Sequence, residues 1–183
     1  IVFETNNRND LLQVEQVNSY KCDVAFEISG GYFQLNECLV NNSNIGIHIT
    51  NAYDDSDISS YSAVDVVQSI VLEASANLEN LDIFQGIIQS SGGIVLNGRY
   101  NTTISIDEFQ FNDITSSVSV EGTSGEVTIS DTTFNSANTK GISFTGVGGS
   151  SLELINVLFQ YGTIGVEYAA RGNFKIEDCE FSN

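Results

Sequence analysis

The densest group of side chains that could carry out chemistry is Asp54, Asp55 and Asp57, in the stretch YDDSD. Carboxylate oxygens are the ligands that Ca²⁺ prefers, so three of them within four residues make a candidate calcium site. Their spacing does not match the EF-hand loop, and a solvated acidic loop would explain the same composition. The run SIDEFQFND, residues 105–113, is a weaker candidate of the same kind.

Residues suited to acid–base or nucleophilic catalysis are few. The single histidine, His48, lies between Ile47 and Ile49, and alternation along a strand would point its ring away from the core. The sequence has no histidine or cysteine spacing typical of a metal site, and no Ser-His-Asp triad can be assembled from it. We therefore expect no catalytic centre.

The chain is strongly acidic. Its 24 Asp and Glu residues outnumber 6 Lys and Arg residues, which gives a formal net charge of −18. Such a charge repels the phosphates of nucleic acids and anionic lipid headgroups. No apolar run approaches the roughly 20 residues of a membrane-spanning helix. We therefore expect neither nucleic-acid binding nor membrane insertion.

Most of the chain repeats one pattern: apolar, any, apolar, any, polar, apolar, any, apolar. Seven segments fit it, and they begin at Leu12, Phe33, Ala76, Ile104, Val127, Leu152 and Phe174. Their last positions are Ser19, Val40, Ile83, Phe111, Phe134, Phe159 and Phe181. Most of these positions recur about every 22 residues. A second apolar alternation follows each segment, as in VAFEI, IGIHI and GISF, before a polar or Gly-rich turn.

A fixed period with equivalent residues is what a solenoid requires, because each coil stacks only on its neighbours, whereas the strands of a sandwich need not resemble one another. The sequence therefore predicts an all-β fold: a right-handed single-stranded parallel β-helix of about seven coils of roughly 22 residues, in one domain over residues 1–183. The predicted core ladder consists of Phe111, Phe134, Phe159 and Phe181, with rings about 4.8 Å apart.

The polar fifth position of the pattern suits a tight corner, where Asn and Asp tolerate a left-handed backbone. The predicted corner residues are Gln16, Glu37, Asn80, Glu108, Asp131, Asn156 and Asp178. One long gap in the repeat remains, and we predict an insertion loop there, at about residues 51–67, that forms a lobe on the rod. A degenerate extra coil is the alternative.

The phrases FKIEDCEFSN, at residues 174–183, and FQLNECLVNN, at residues 33–42, resemble the right-handed parallel β-helix repeat of the pectate-lyase-like superfamily. FQFN at 109–112 and GGIV at 92–95 resemble the FxxN and GG-aliphatic repeats of polymorphic outer-membrane adhesins and of related protist surface proteins. The resemblance implies a β-helix at the cell surface or outside the cell. Lyases of the superfamily need an Arg or Lys base beside Ca²⁺, whereas the six cationic residues here fall in different coils. Its hydrolases need clustered aspartates.

Two sequons place Asn41 and Asn101 in predicted turns, where a glycan could project if the protein is a secreted glycoprotein. Cys38 and Cys179 occupy the same inward position of the pattern, where a small thiol packs well, and Cys22 lies in a turn.

Neither end of the predicted rod shows a cap. IVFE at the start matches the second apolar alternation of a coil, and the last segment ends just before such an alternation would follow. The first residues could therefore continue the repeat where the last residues stop. We expect an end interface that involves Ile1, Val2, Phe3, Phe181 and Asn183, either with adjoining coils of a longer chain or with a second copy in a filament. The predicted function is a non-enzymatic extracellular structural or adhesive element. The alternative is a carbohydrate-active module that binds or cleaves a glycan.

Overall fold

A computed structural model describes residues 1–7, 9–73, 77–97, 102–116, 118–121, 125–135, 140–145 and 149–182. Within these ranges all regular structure is β, so no helix there is long and apolar enough to cross a membrane. The strands are β1 (Val2–Glu4), β2 (Leu11–Glu15), β3 (Asn18–Tyr20), β4 (Val24–Ser29), β5 (Tyr32–Asn36), β6 (Leu39–Asn41), β7 (Ile45–Asn51), β8 (Tyr53–Ser59), β9 (Ser62–Val64), β10 (Gln68–Leu72), β11 (Asn77–Gln89), β12 (Ile94–Leu96), β13 (Thr103–Asn112), β14 (Val118–Glu121), β15 (Glu126–Ser130), β16 (Thr133–Asn135), β17 (Lys140–Thr145), β18 (Ser151–Ile155), β19 (Leu158–Gln160), β20 (Ile164–Tyr168), β21 (Phe174–Glu177) and β22 (Glu180–Ser182).

The strands stack in parallel to form a β-solenoid of about seven turns with three faces. The first face has the order β2-β5-β8-β11-β13-β15-β18-β21. The second face consists of β3, β6, β9, the second halves of β11 and β13, β16, β19 and β22. The third face has the order β1-β4-β7-β10-β12-β14-β17-β20. Eight stacked strands at about 4.8 Å give a rod on the order of 35 Å long.

The corner between the first and second faces forms as the sequence predicts. One residue of each coil there has a positive φ between 46° and 57°: Gln16, Glu37, Ser60, Gln85, Glu108, Asp131, Asn156 and Asp178. Amide and carboxylate side chains bond along this corner, as from Gln16 Nε2 to Glu37 Oε2 at 2.8 Å. These side chains thus tie neighbouring coils together where the backbone turns.

The prediction for residues 76–83 has the wrong register. Leu81, not Ala76, pairs with Ile104, so Gln85 is the corner residue instead of Asn80. The last position of this coil is likewise Ile88, which pairs with Phe111, and not Ile83. Apolar residues alternate with other residues in both the predicted and the observed register, so the alternation could not distinguish the two registers.

The predicted insertion loop at residues 51–67 is also wrong. Strands β8 and β9 lie in this segment, and they pair with β5 and β6 on one side and with β11 on the other. The segment is therefore the extra coil that we considered as the alternative. It departs from the pattern because Ser56 fills an apolar core position, where its hydroxyl accepts a hydrogen bond from the backbone N–H of Phe33.

The core runs the length of the rod between the three faces. The predicted phenylalanine ladder lies in it: Phe111, Phe134, Phe159 and Phe181 stack with centroids 4.6, 5.0 and 4.8 Å apart and ring planes within 8° of parallel. A second stack, which the pattern did not predict, runs through Phe144, Tyr168 and Phe174. Each coil thus contributes apolar groups that contact only the coils before and after it.

Candidate functional site

On the first face, hydrogen bonds link polar side chains of successive coils. Gln13 Nε2 donates to Gln34 Oε1 at 2.8 Å, and Gln34 in turn bonds the carboxylate of Asp57. Asp57 is followed in the stack by Asp82. Partial burial raises the pKa of the Asp57 carboxyl; the bond from Gln34 lowers it, and the negative charge of Asp82 raises it again. Gln13, Gln34 and Asp57 line a shallow depression with Glu15, Asn36 and Ser59.

The three carboxylates of YDDSD are not brought together. Asp54 has a φ of 55° and sits where the register between β8 and β11 shifts. Asp55 accepts a hydrogen bond from Asn80 Nδ2, whereas Asp57 lies two residues further along the first face. Among the described residues, no three His, Cys, Asp or Glu side chains are grouped so that they could hold a metal ion.

His48 points outward on the third face, as alternation predicts. Its Nε2 lies 3.2 Å from Glu73 Oε1, and Glu27 precedes it in the stack. The imidazole therefore has a carboxylate partner, but no serine or cysteine nucleophile of the described residues contacts it.

The Asn41 sequon lies at the end of β6, where Asn41 is half-buried and points outward on the second face. The Ser43 hydroxyl donates to Asn41 O and accepts from Cys22 N, so it is part of the turn between the second and third faces. Asn101 falls outside the described residues. All three cysteines are free; burial raises the pKa of the Cys38 thiol, as expected for a core residue.

The end coils expose apolar side chains, most of which occupy positions that are buried in the inner coils; Val2 is the exception, because it stands in the outward row of Glu27 and His48. Ile1, Val2 and Phe181 are 51%, 69% and 54% exposed, and Phe3 is half-buried. Phe174 and Ile176 in the last coil are 40% and 47% exposed. Asn183 falls outside the described residues. These apolar side chains lie at both ends of the rod, beside the unpaired edges of β1–β3 and β20–β22.

The second face differs from the other two because its strands present almost no charge. Its outward residues are Asn18, Tyr20, Leu39, Asn41, Ser62, Val64, Ile87, Gln89, Gln110, Asn112, Thr133, Asn135, Leu158, Gln160, Glu180 and Ser182. The first face, by contrast, has eight outward carboxylates: Glu15, Asp55, Asp57, Asp82, Asp107, Glu126, Glu153 and Glu177. The repeat pattern did not predict the uncharged face, although the uncharged third position of each coil's second strand was a signal for it.

Comparisons of the chain with protein-family models, with curated proteins and with solved structures found no match.

Proposed function

We propose that this protein is a non-enzymatic structural rod that associates end to end, with β20–β22 of one copy stacked on β1–β3 of the next. The observation that supports the proposal is the exposure of core positions at both ends, which costs free energy for every apolar side chain left in water. A further coil from a second copy would bury them, and adjoining coils of a longer chain are the alternative.

The pairing inside the rod gives the register of such a contact. Phe174 and Ile176 occupy the core positions that Leu12 and Val14 occupy in the first coil, and Phe181 corresponds to Ser19. Parallel strand addition would therefore place apolar residues on apolar residues on the first face and extend the phenylalanine ladder to a serine. Heterologous contacts of this kind do not close, so they produce filaments.

Charge sets the conditions for the contact. Glu177 would lie over Glu15, and each rod carries a net charge of −18. Screening by salt weakens this repulsion, so we expect association to increase with ionic strength.

The FxxN resemblance supports a location outside the cell or at its surface, and an adhesive as well as a structural role. Nearly all parallel crossover connections between strands are right-handed, which favours a right-handed coil within the pectate-lyase-like group of folds. We thus propose the extracellular location, the adhesive role and the right-handed coil together with end-to-end association.

Light scattering coupled to size-exclusion chromatography tests end-to-end association. We expect oligomers whose mass grows with protein and salt concentration, and rods in electron micrographs that are multiples of about 35 Å long. The double variant Ile176→Asp and Phe181→Asp should be monomeric, since both residues are about half exposed in the single rod and tolerate a charge there. Val67, which is 65% exposed on the side of the rod, gives the matched control: Val67→Asp should assemble like the wild type. A wild-type chain that stays monomeric at high salt and high concentration would exclude this proposal.

A further inference from the structure

The uncharged second face has free hydrogen-bonding capacity. Four amides follow one another in consecutive coils: Gln89, Asn112, Asn135 and Gln160. Among the residues that the structure describes, none of these side chains has a hydrogen-bond partner, in contrast to Gln13 and Gln34 on the first face. Each amide offers two donors and an acceptor, at a spacing of about 4.8 Å along the rod.

Three aliphatic side chains lie on the same face as the amides. Leu39, Ile87 and Leu158 lie in the row beside them, each half-buried. Around Ile87 the surface dips into a depression, whose lining also includes Ser60, Ser62, Gln85, Gly86, Glu108 and Gln110. Apart from Glu180 in the last coil and Glu108 at the edge of the depression, the face is therefore a strip of uncharged polar and apolar groups on an acidic rod.

The dimensions of the face favour a thin occupant over a second copy. Eight strands of three residues cover about 35 Å by about 10 Å, or on the order of 350 Å². A stable protein–protein contact needs roughly 800 Å² on each partner, so lateral pairing of two rods through this face would be too small. The net charge of −18 also repels acidic polymers, both nucleic acids and uronate-rich glycans.

We propose that the second face binds a linear neutral polysaccharide that lies along the axis of the rod. Sugar hydroxyls both donate and accept hydrogen bonds, as the amides do, and the C–H surface of a sugar ring can cover the Leu39, Ile87 and Leu158 side chains. Because the contact involves no charge on either side, its strength should not depend on salt. The inference adds glycan binding to the structural role and does not depend on end-to-end association.

Binding assays with defined polymers test this inference. The wild-type protein should bind at least one of insoluble cellulose, insoluble chitin and mannan, equally well at low and high salt, and should not bind polygalacturonate. The triple variant Gln110→Glu, Asn112→Asp and Asn135→Asp keeps the size of each side chain but adds three charges to the face. We expect its binding to be at least tenfold weaker.

The matched control adds three charges to the first face, as Ser105→Asp, Thr128→Asp and Ser151→Asp, whose side chains point outward. It should bind like the wild type. A third variant, Gln110→Ala, Asn112→Ala and Asn135→Ala, removes the amides without adding charge and should also lose binding. Thermal melting confirms that each variant folds, and light scattering on the same samples measures end-to-end association separately.

Three results would overturn the inference. They are no binding of the wild type to any of the three neutral polymers, equal loss of binding in the first-face control, or full binding by the alanine variant.

Discussion

Buried polar side chains of the rod bond to groups of their own coil or of an adjacent one. The fully buried Tyr61 donates its hydroxyl to Ser69 O at 3.0 Å, and Ser69 Oγ donates to Gly92 O. Among the described residues, no buried side-chain nitrogen or oxygen lacks a hydrogen-bond partner. Tyr61 satisfies a backbone group of its own coil and Ser69 one of the next coil, so sequence patterns that expect apolar residues at these positions miss them.

Asp57 should make the rod less stable at neutral pH than an amide would. The pKa of the Asp57 carboxyl is raised in the folded state. As the pH rises from about 3.9, this carboxyl therefore ionises first in the unfolded chain. The free energy of unfolding falls until the carboxyl of the folded chain has also ionised. We expect Asp57→Asn to increase the free energy of unfolding at pH 7 and to lose most of this advantage near pH 3. Urea denaturation at the two pH values measures the difference.

Glu177 provides the opposite case. The hydrogen bond from Lys175, and then its charge, lower the pKa of the Glu177 carboxyl, so its stabilising effect is present at neutral pH and disappears as pH falls through the folded pKa. Glu177→Gln should therefore reduce stability at pH 7 and have little effect near pH 3. If both variants shifted stability in the same direction at pH 7, the electrostatic explanation would be wrong.

At the scale of strands and coils, side-chain volume sets the register where the apolar pattern is ambiguous. Gly86 occupies an inward position between Tyr61 and Phe109 in the stack, and a methyl group there would overlap the Phe109 ring and lie 2.7 Å from Tyr61 O. The Phe109 ring and the Tyr61 backbone carbonyl thus require a glycine between them. In the true segment, which begins at Leu81, Gly86 takes a position where the pattern expects an apolar residue, and Ile87 takes an outward position. The segment ANLENLDI therefore matched the pattern better.

The variant Gly86→Ala should destabilise the rod by about 1–3 kcal/mol, the usual cost of overpacking a core. Chemical denaturation gives the free energy of unfolding. Gly149→Ala is the control, because a methyl group at Gly149 would meet no atom within 4 Å. The explanation fails if the two variants are equally stable.

For the whole molecule, the sequence was sufficient to predict the parallel solenoid, its phenylalanine ladder and most of one corner, because these features repeat in every coil. It was not sufficient for the coil at residues 53–64, whose core includes Ser56 at a position where the next coil has Leu81, together with the large Tyr61. The uncharged face became visible only once all coils were in register, since one missing coil and one shifted coil scramble the rows of outward residues.

The excess of carboxylates should make stability depend on salt. The 24 acidic and 6 basic residues repel one another overall, and added salt screens this repulsion in the compact state. We expect the melting temperature to rise by several degrees between about 0.02 M and about 0.5 M sodium chloride. Calorimetry on the monomeric Ile176→Asp and Phe181→Asp variant separates this effect from association. A melting temperature independent of salt would show that the charges are spread too widely to matter.

The orientation of the strands also determines how the rod responds to force. Hydrogen bonds between coils run along the axis, so tension applied to the two termini loads them one coil at a time instead of all together. The stacked coils recur every 21 to 25 residues, and each would release on the order of 75 Å of extended chain. Under tension the rod should therefore lengthen in small, regular steps at low force and act as an extensible tether.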